Sequence, residues 1–149
     1  LDPMTAAEQV AEKQRNVYTS EAFDRGLYFA LECLYTYNNQ LYLKIIIENK
    51  SNIEYEIQSI EFSIMGKEKL MKKSPNSTGQ PLPDPIAIYN KPNTKVAAKS
   101  KVTQVYVYDK FTLSDKKKLN VKIFEKGGDR EISFDIEGKT LLKARELKP

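Results

Sequence analysis

The sequence predicts an all-β fold, an immunoglobulin-like antiparallel β-sandwich of about seven strands with a short N-terminal helix. Three observations predict it. From Leu27 onward the apolar residues recur with a period of two. Turn-forming clusters punctuate these runs roughly every ten residues. The length of 149 residues suits one core and is short for two.

The first element reads as a helix over Met4–Arg15, rich in Ala, Glu, Lys and Gln. Thr5 is the expected N-cap, with Glu8 completing a capping box. Its apolar stripe of Met4, Ala7, Val10 and Ala11 is thin. Residues 1–24 are therefore expected to form a helical, interdomain-type segment, and residues 25–149 the β-sandwich.

Leu27, Phe29, Leu31, Cys33 and Tyr35 are expected to share one face of a long strand. Tyr37-Asn38-Asn39-Gln40 is a turn, because Asn tolerates the left-handed region that a tight hairpin needs. Leu41, Leu43, Ile45 and Ile47 alternate along the returning strand. A third strand runs from Glu54 to about Met65, with Ile60, Phe62 and Ile64 on one face. Residues 74–92 hold five of the seven prolines, which bars a central strand. The segment reads as a long surface loop carrying a short edge strand, Ile86-Ala87-Ile88-Tyr89. Strands resume at Lys101–Tyr108, at Leu119–Ile123 and at Ile132–Ile136. Lys126-Gly127-Gly128-Asp129 is the turn between the last two. Thr140–Leu147 carries no clear period.

The composition narrows the chemistry. There is no histidine and a single cysteine, so neither a Ser-His-Asp nor a Cys-His arrangement can be assembled. A zinc site cannot be built from Cys33 alone. Cys33 reads as a packing residue. The carboxylates that could pair for acid–base work are Glu54 and Glu56, Glu61, or Asp129 with Glu131. They fall in alternating, solvent-facing positions. Asp109, Asp115 and Asp129 are too scattered for a calcium loop. No phosphate-cradling glycine motif occurs. The expectation is a non-enzyme with no catalytic residue, no metal and no cofactor.

The net charge is +4. Lysines cluster at Lys67, Lys69, Lys72 and Lys73, and again at Lys116, Lys117, Lys118 and Lys122. Such clusters can track phosphates, with Tyr106 and Tyr108 stacking bases of a single strand. A solvated lysine rim protecting sheet edges is the preferred reading, because acidic residues are interleaved. Nine tyrosines against no tryptophan also allow a sugar-binding platform, although tyrosine suits any half-buried strand. Asn49-Lys50-Ser51 and Asn76-Ser77-Thr78 match the glycosylation triplet and read as chance. No apolar run is long enough to span a bilayer.

The order and spacing of several segments resemble the C-terminal part of TraN proteins of Bacteroidetes conjugative transposons. The first are Leu34-Tyr35-Thr36-Tyr37-Asn38-Asn39-Gln40-Leu41-Tyr42 and Asn49-Lys50-Ser51-Asn52-Ile53. The others are Lys110–Asp115, Leu119–Gly128 and Leu141–Arg145. The resemblance implies a structural component of a conjugative, type IV secretion-like apparatus. It implies a periplasmic or outer-membrane-associated location and other transfer proteins as partners. It also implies an upstream β-domain and a signal peptide, neither of which is read here, so the chain reads as a C-terminal fragment. The resemblance supplies no binding residues. From the residues alone, Pro83, Ile86, Ile88 and Tyr89 in the proline-rich loop are the expected contacts, reached by strand addition or loop burial.

Overall fold

The structure, a computed structural model, describes residues 1–67, 79–90 and 94–149. It is an all-β sandwich of two sheets with a helix packed on one outer face. The first sheet has the order β1 (Glu21–Asp24), β2 (Leu27–Tyr37), β3 (Gln40–Asn49), β8 (Ser100–Asp109) and β6 (Ala87–Tyr89). The second runs β10 (Ile132–Glu137), β9 (Lys117–Glu125), β4 (Tyr55–Gly66) and β5 (Gln80–Pro81), with β7 (Lys95–Val96) also on β4. All of these pairings are antiparallel. β11 (Arg145–Glu146) alone adds in parallel, against Tyr35 and Thr36 of β2. The seven expected strands are present, and β1, β5, β7 and β11 are additional short ones.

The Asn38–Asn39 turn forms as its sequence predicts. Both residues have positive φ, 51° and 63°, and Tyr37 pairs with Gln40 directly across it. Between the sheets, Leu41, Leu43, Ile45 and Ile47 of β3 meet Leu119, Val121 and Ile123 of β9 in one apolar core. Aromatic contacts bridge the sheets at both of its sides. Phe29 meets Phe134 at 4.8 Å between ring centroids, and Phe62 meets Tyr106 at 4.8 Å.

Two bulges re-aim side chains. On β2 the register shifts between Leu31 and Cys33, leaving Glu32 as the extra residue. Leu27, Phe29 and Leu31 therefore face the sandwich core, but Cys33 and Tyr35 turn to the opposite face and Leu34 takes the inward place. The expected single face from Leu27 to Tyr35 is broken there. On β4 a shift between Ile57 and Ser59 moves the inward set from Tyr55 and Ile57 to Ile60, Phe62 and Ile64.

Cys33 and Tyr35, with Tyr42, Val105 and Val107, form a second apolar layer under the helix α1 (Pro3–Ala11). Asp2, not Thr5, is the N-cap: its Oδ1 accepts the Thr5 N–H at 2.8 Å, and Pro3 occupies the first helical position. The buried stripe is Ala6, Ala7 and Val10, whereas Met4 is exposed. The helix ends at Ala11 rather than Arg15 because the chain turns down to β2, where Asn16 and Val17 both donate to the Glu32 carbonyl. Residues 1–24 thus contribute both α1 and β1 to the sandwich layers.

The segment after β10 is a short helix, α2 (Gly138–Leu141), leading into β11. Gly138 is placed against the Leu113 carbonyl, which a Cβ would approach to 2.5 Å. β1 packs beside β10 and closes that side of the sandwich. The other side lies between the edge strand β6 and β4.

Candidate functional site

The side of the sandwich between β4 and β6 holds an apolar groove. Its floor is the inward face of β8, where Tyr106 and Tyr108 lie against Phe62 of β4 at 4.8 and 5.3 Å between centroids. One wall is β4 with Ile57, Gln58, Ser59 and Ile60, and the other is Pro85 ahead of β6 and Ile88 within it. The cavity is about 300 Å³. A second of about 280 Å³ continues it along Glu61, Phe62 and Ser63, with Pro81–Pro85 as its far wall, and Tyr108 borders both.

The β4 bulge shapes this wall. It leaves Gln58 as the extra residue, so that Ile57 and Ile60 both line the groove. On the edge of β4 away from β9, Tyr55 and Glu56 pair with β7, and Ser63 and Ile64 pair with β5. Among the described residues no strand pairs with the intervening Gln58–Glu61 on that edge. The backbone there presents edge donors and acceptors above an apolar floor, the geometry that a strand of another chain completes.

Burial pushes the phenols of both Tyr106 and Tyr108 well above their ordinary range, so both remain neutral donors. They are nevertheless held differently. Tyr106 donates to Gln104 Oε1 at 2.9 Å inside the core. The Tyr108 hydroxyl has no hydrogen-bond partner among the described residues, and Asp84 at the rim adds to the rise in its pKa.

Of the four contacts expected from the sequence, the structure brings two to this groove. Ile88 lines the first cavity and Pro83 the second. Ile86 is exposed beside it, with its backbone N–H donated to the Val107 carbonyl. Tyr89 turns the other way, because alternation along β6 sends it and Ala87 to the layer under α1. Ile57, Ile60 and Phe62 were not expected at a site, and Tyr106 and Tyr108 were expected only as stacking residues for a single strand. They come from two strands far apart in the chain, β4 and β8, and only the packing of the two sheets brings them together.

Tyr106 and Tyr108 are each 5% exposed, so they offer no face for stacking a base or a sugar. Lys67, Lys118 and Lys122 pair with Glu137, Asp135 and Glu131, as a solvated mixed-charge rim does. Lys69, Lys72, Lys73 and the Asn76 triplet lie outside the described residues. Asn49 is fully buried, its amide donating to the carbonyls of Ile53 and Val96, so it offers nothing to a glycosylating enzyme. Glu54 and Glu56 both face Lys95, and Glu131 faces Lys122. Among the described residues no group of three His, Cys, Asp or Glu is placed to hold a metal ion. No helix among them is long and apolar enough to cross a membrane.

No curated protein matches the sequence. A family model described as "Domain of unknown function (DUF4138)" matches residues 4–146. That span takes in α1, both sheets and β11 up to Glu146, and the chain belongs to this DUF4138 family.

Proposed function

We propose that this domain is a non-catalytic docking module that receives an extended segment of another protein in the groove between β4 and β6. The observation that carries the reading is the groove itself: an apolar floor of Tyr106, Tyr108 and Phe62 beside the Gln58–Glu61 edge of β4. An added strand would use the β4 backbone for affinity and place alternate side chains over Ile60 and Ile88 for specificity. The sequence resemblance to the C-terminal part of TraN supports a partner within a conjugative transfer apparatus, assembled at the periplasmic side of the outer membrane.

The test places a photocrosslinking residue at Ser59, Ile60 or Ile88, and separately at the exposed Phe23 of β1 on the opposite side of the sandwich, in the full protein in donor cells. A transfer-protein adduct from the three groove positions and not from Phe23 is expected. Adducts of equal yield from all four positions, or none from the groove, would overturn the reading. Ile88→Arg should then lower transfer frequency while leaving the thermal transition of the purified domain in place, because Ile88 is only partly buried.

A further inference from the structure

A second cleft lies at the opposite side of the molecule from the β4–β6 groove and does not depend on it. Three segments wall it: the connection Asn16–Thr19, β2 at Leu34, and the run from Glu137 through α2 to Arg145. Its volume is about 400 Å³, within the range of ligand pockets. Lys139, Lys143 and Arg145 border it, with Thr19 and Thr140 supplying hydroxyls. One carboxylate, Glu137, is also on the wall, but it is answered twice: Lys67 and Lys139 each reach it at 3.3 Å. Lys143 and Arg145 have no ion-pair partner among the described residues.

The backbone around these cations is fixed. Gly138 sits under the Leu113 carbonyl and anchors α2. The Lys143 N–H donates to the Thr140 carbonyl at 3.1 Å, and Arg145 is registered against Tyr35 by the parallel β11–β2 pairing. On the facing wall, Asn16 Oδ1 accepts the Leu34 N–H at 3.0 Å. The cations therefore project from a set frame around an apolar base of Val17 and Leu34, both buried. A guanidinium and two ammonium groups bordering one cleft beside two hydroxyls suit a compact group with several acceptor oxygens and more than one negative charge.

We propose that this cleft binds a phosphate-bearing ligand, with Lys143 and Arg145 as the principal contacts and Lys139, Thr19 and Thr140 completing the cradle. The phosphate could be carried by a soluble compound or by a lipid headgroup, since the same donors recognise either. The test is a titration of the labelled chain with inorganic phosphate, followed by amide chemical shifts. Saturable shifts confined to Tyr18, Thr19, Thr140 and Lys143 are expected. The Lys143→Gln/Arg145→Gln variant should weaken binding by roughly tenfold or more. Both side chains are exposed, so this variant keeps its fold, checked by its melting curve. Lys116→Gln/Lys126→Gln removes the same charge elsewhere and should bind as the parent does. No saturable shift, or equal weakening in both double variants, would overturn the site. Vesicles of phosphatidylcholine containing phosphatidic acid separate the two sources. Sedimentation with them that fails in the Lys143/Arg145 variant assigns a headgroup, and retained phosphate binding without sedimentation assigns a soluble ligand.

Discussion

Lys44 Nζ lies 2.8 Å from Glu32 Oε1, and the two side chains are only 7% and 16% exposed. Glu32 is the extra residue of the β2 bulge, and Lys44 stands opposite the bulge on β3. The same ammonium donates to the Lys13 carbonyl at 2.8 Å. The pair thus holds the bulge, the sheet and the chain leaving α1 at one point. Removing one partner strands a buried charge, which costs more than the pair itself contributes. Glu32→Ala and Lys44→Ala are each expected to lose about 2–4 kcal/mol in urea unfolding. The Glu32→Ala/Lys44→Ala double variant is expected to lose much less than their sum. Additive losses would show that the bulge is held without the pair.

A second charged contact fixes the far end of the sandwich. Arg130 grips Glu125 with two nitrogens, at 2.8 and 3.2 Å, and donates to Ser51 Oγ and the Glu54 carbonyl. Its guanidinium also lies 5.2 Å from the centre of the Tyr55 ring. The Arg130 hydrogen bonds hold the Glu125 carboxyl below its ordinary value of 4.5. A carboxyl depressed in the folded state binds its proton more readily when unfolded. Its contribution is therefore complete above about pH 4.5 and is lost as pH falls through the lower folded value. Glu125→Gln should flatten that part of the acid limb in a series of urea midpoints against pH. Arg130→Lys should not restore the parent behaviour, because an ammonium cannot grip two oxygens and stack on Tyr55 together.

The bulge also decides the chemistry of Cys33. Its thiol donates to the Gln14 carbonyl at 3.1 Å under α1, and burial raises its pKa. Thiolate is the reactive form, so the folded chain should resist an aromatic disulfide reagent at neutral pH. Labelling should follow the opening of the α1 layer and accelerate in Val10→Ala, which thins the same layer. Immediate stoichiometric labelling of the folded chain would contradict the packing of α1. Cys33→Ser should cost more than Cys33→Ala only if the serine hydroxyl fails to find the Gln14 carbonyl.

Much of the sandwich was legible because strand residues such as Leu41, Leu43, Ile45 and Ile47 keep strict alternation over a buried face. The bulges were not legible. Glu32 sits between Leu31 and Cys33 in a run that alternates acceptably in either register, and only the pairing with Lys44 selects one. β1 was missed because four residues of mixed polarity carry too little period to count. The helix start was legible and misread: Asp2 followed by Pro3 is a stronger N-terminal signal than Thr5, since proline suits the first helical position. The groove was half legible. A proline-rich segment marks Pro83 and Ile88, but Ile57 and Ile60 share the wall only after a bulge, and Tyr108 joins it only through the packing of β8 on Phe62 of the other sheet.

The two groove tyrosines should separate cleanly when each loses its hydroxyl. Tyr106 donates to Gln104, a residue with no exposed surface whose Nε2 already lacks an acceptor among the described residues. Tyr106→Phe would leave the Gln104 oxygen unsatisfied as well, and burying an unmet polar group costs about 1–3 kcal/mol. Replacing both partners by apolar groups of similar shape removes that cost, so Tyr106→Phe/Gln104→Met should recover most of the stability. Tyr108→Phe breaks no hydrogen bond among the described residues and should leave the unfolding midpoint close to that of the parent. Its effect should appear instead in crosslinking from Ile60, where a bound strand would use the Tyr108 hydroxyl. Equal destabilisation by the two Phe variants, measured by urea unfolding, would mean that Tyr108 serves the core and that the groove floor is not set aside for a partner.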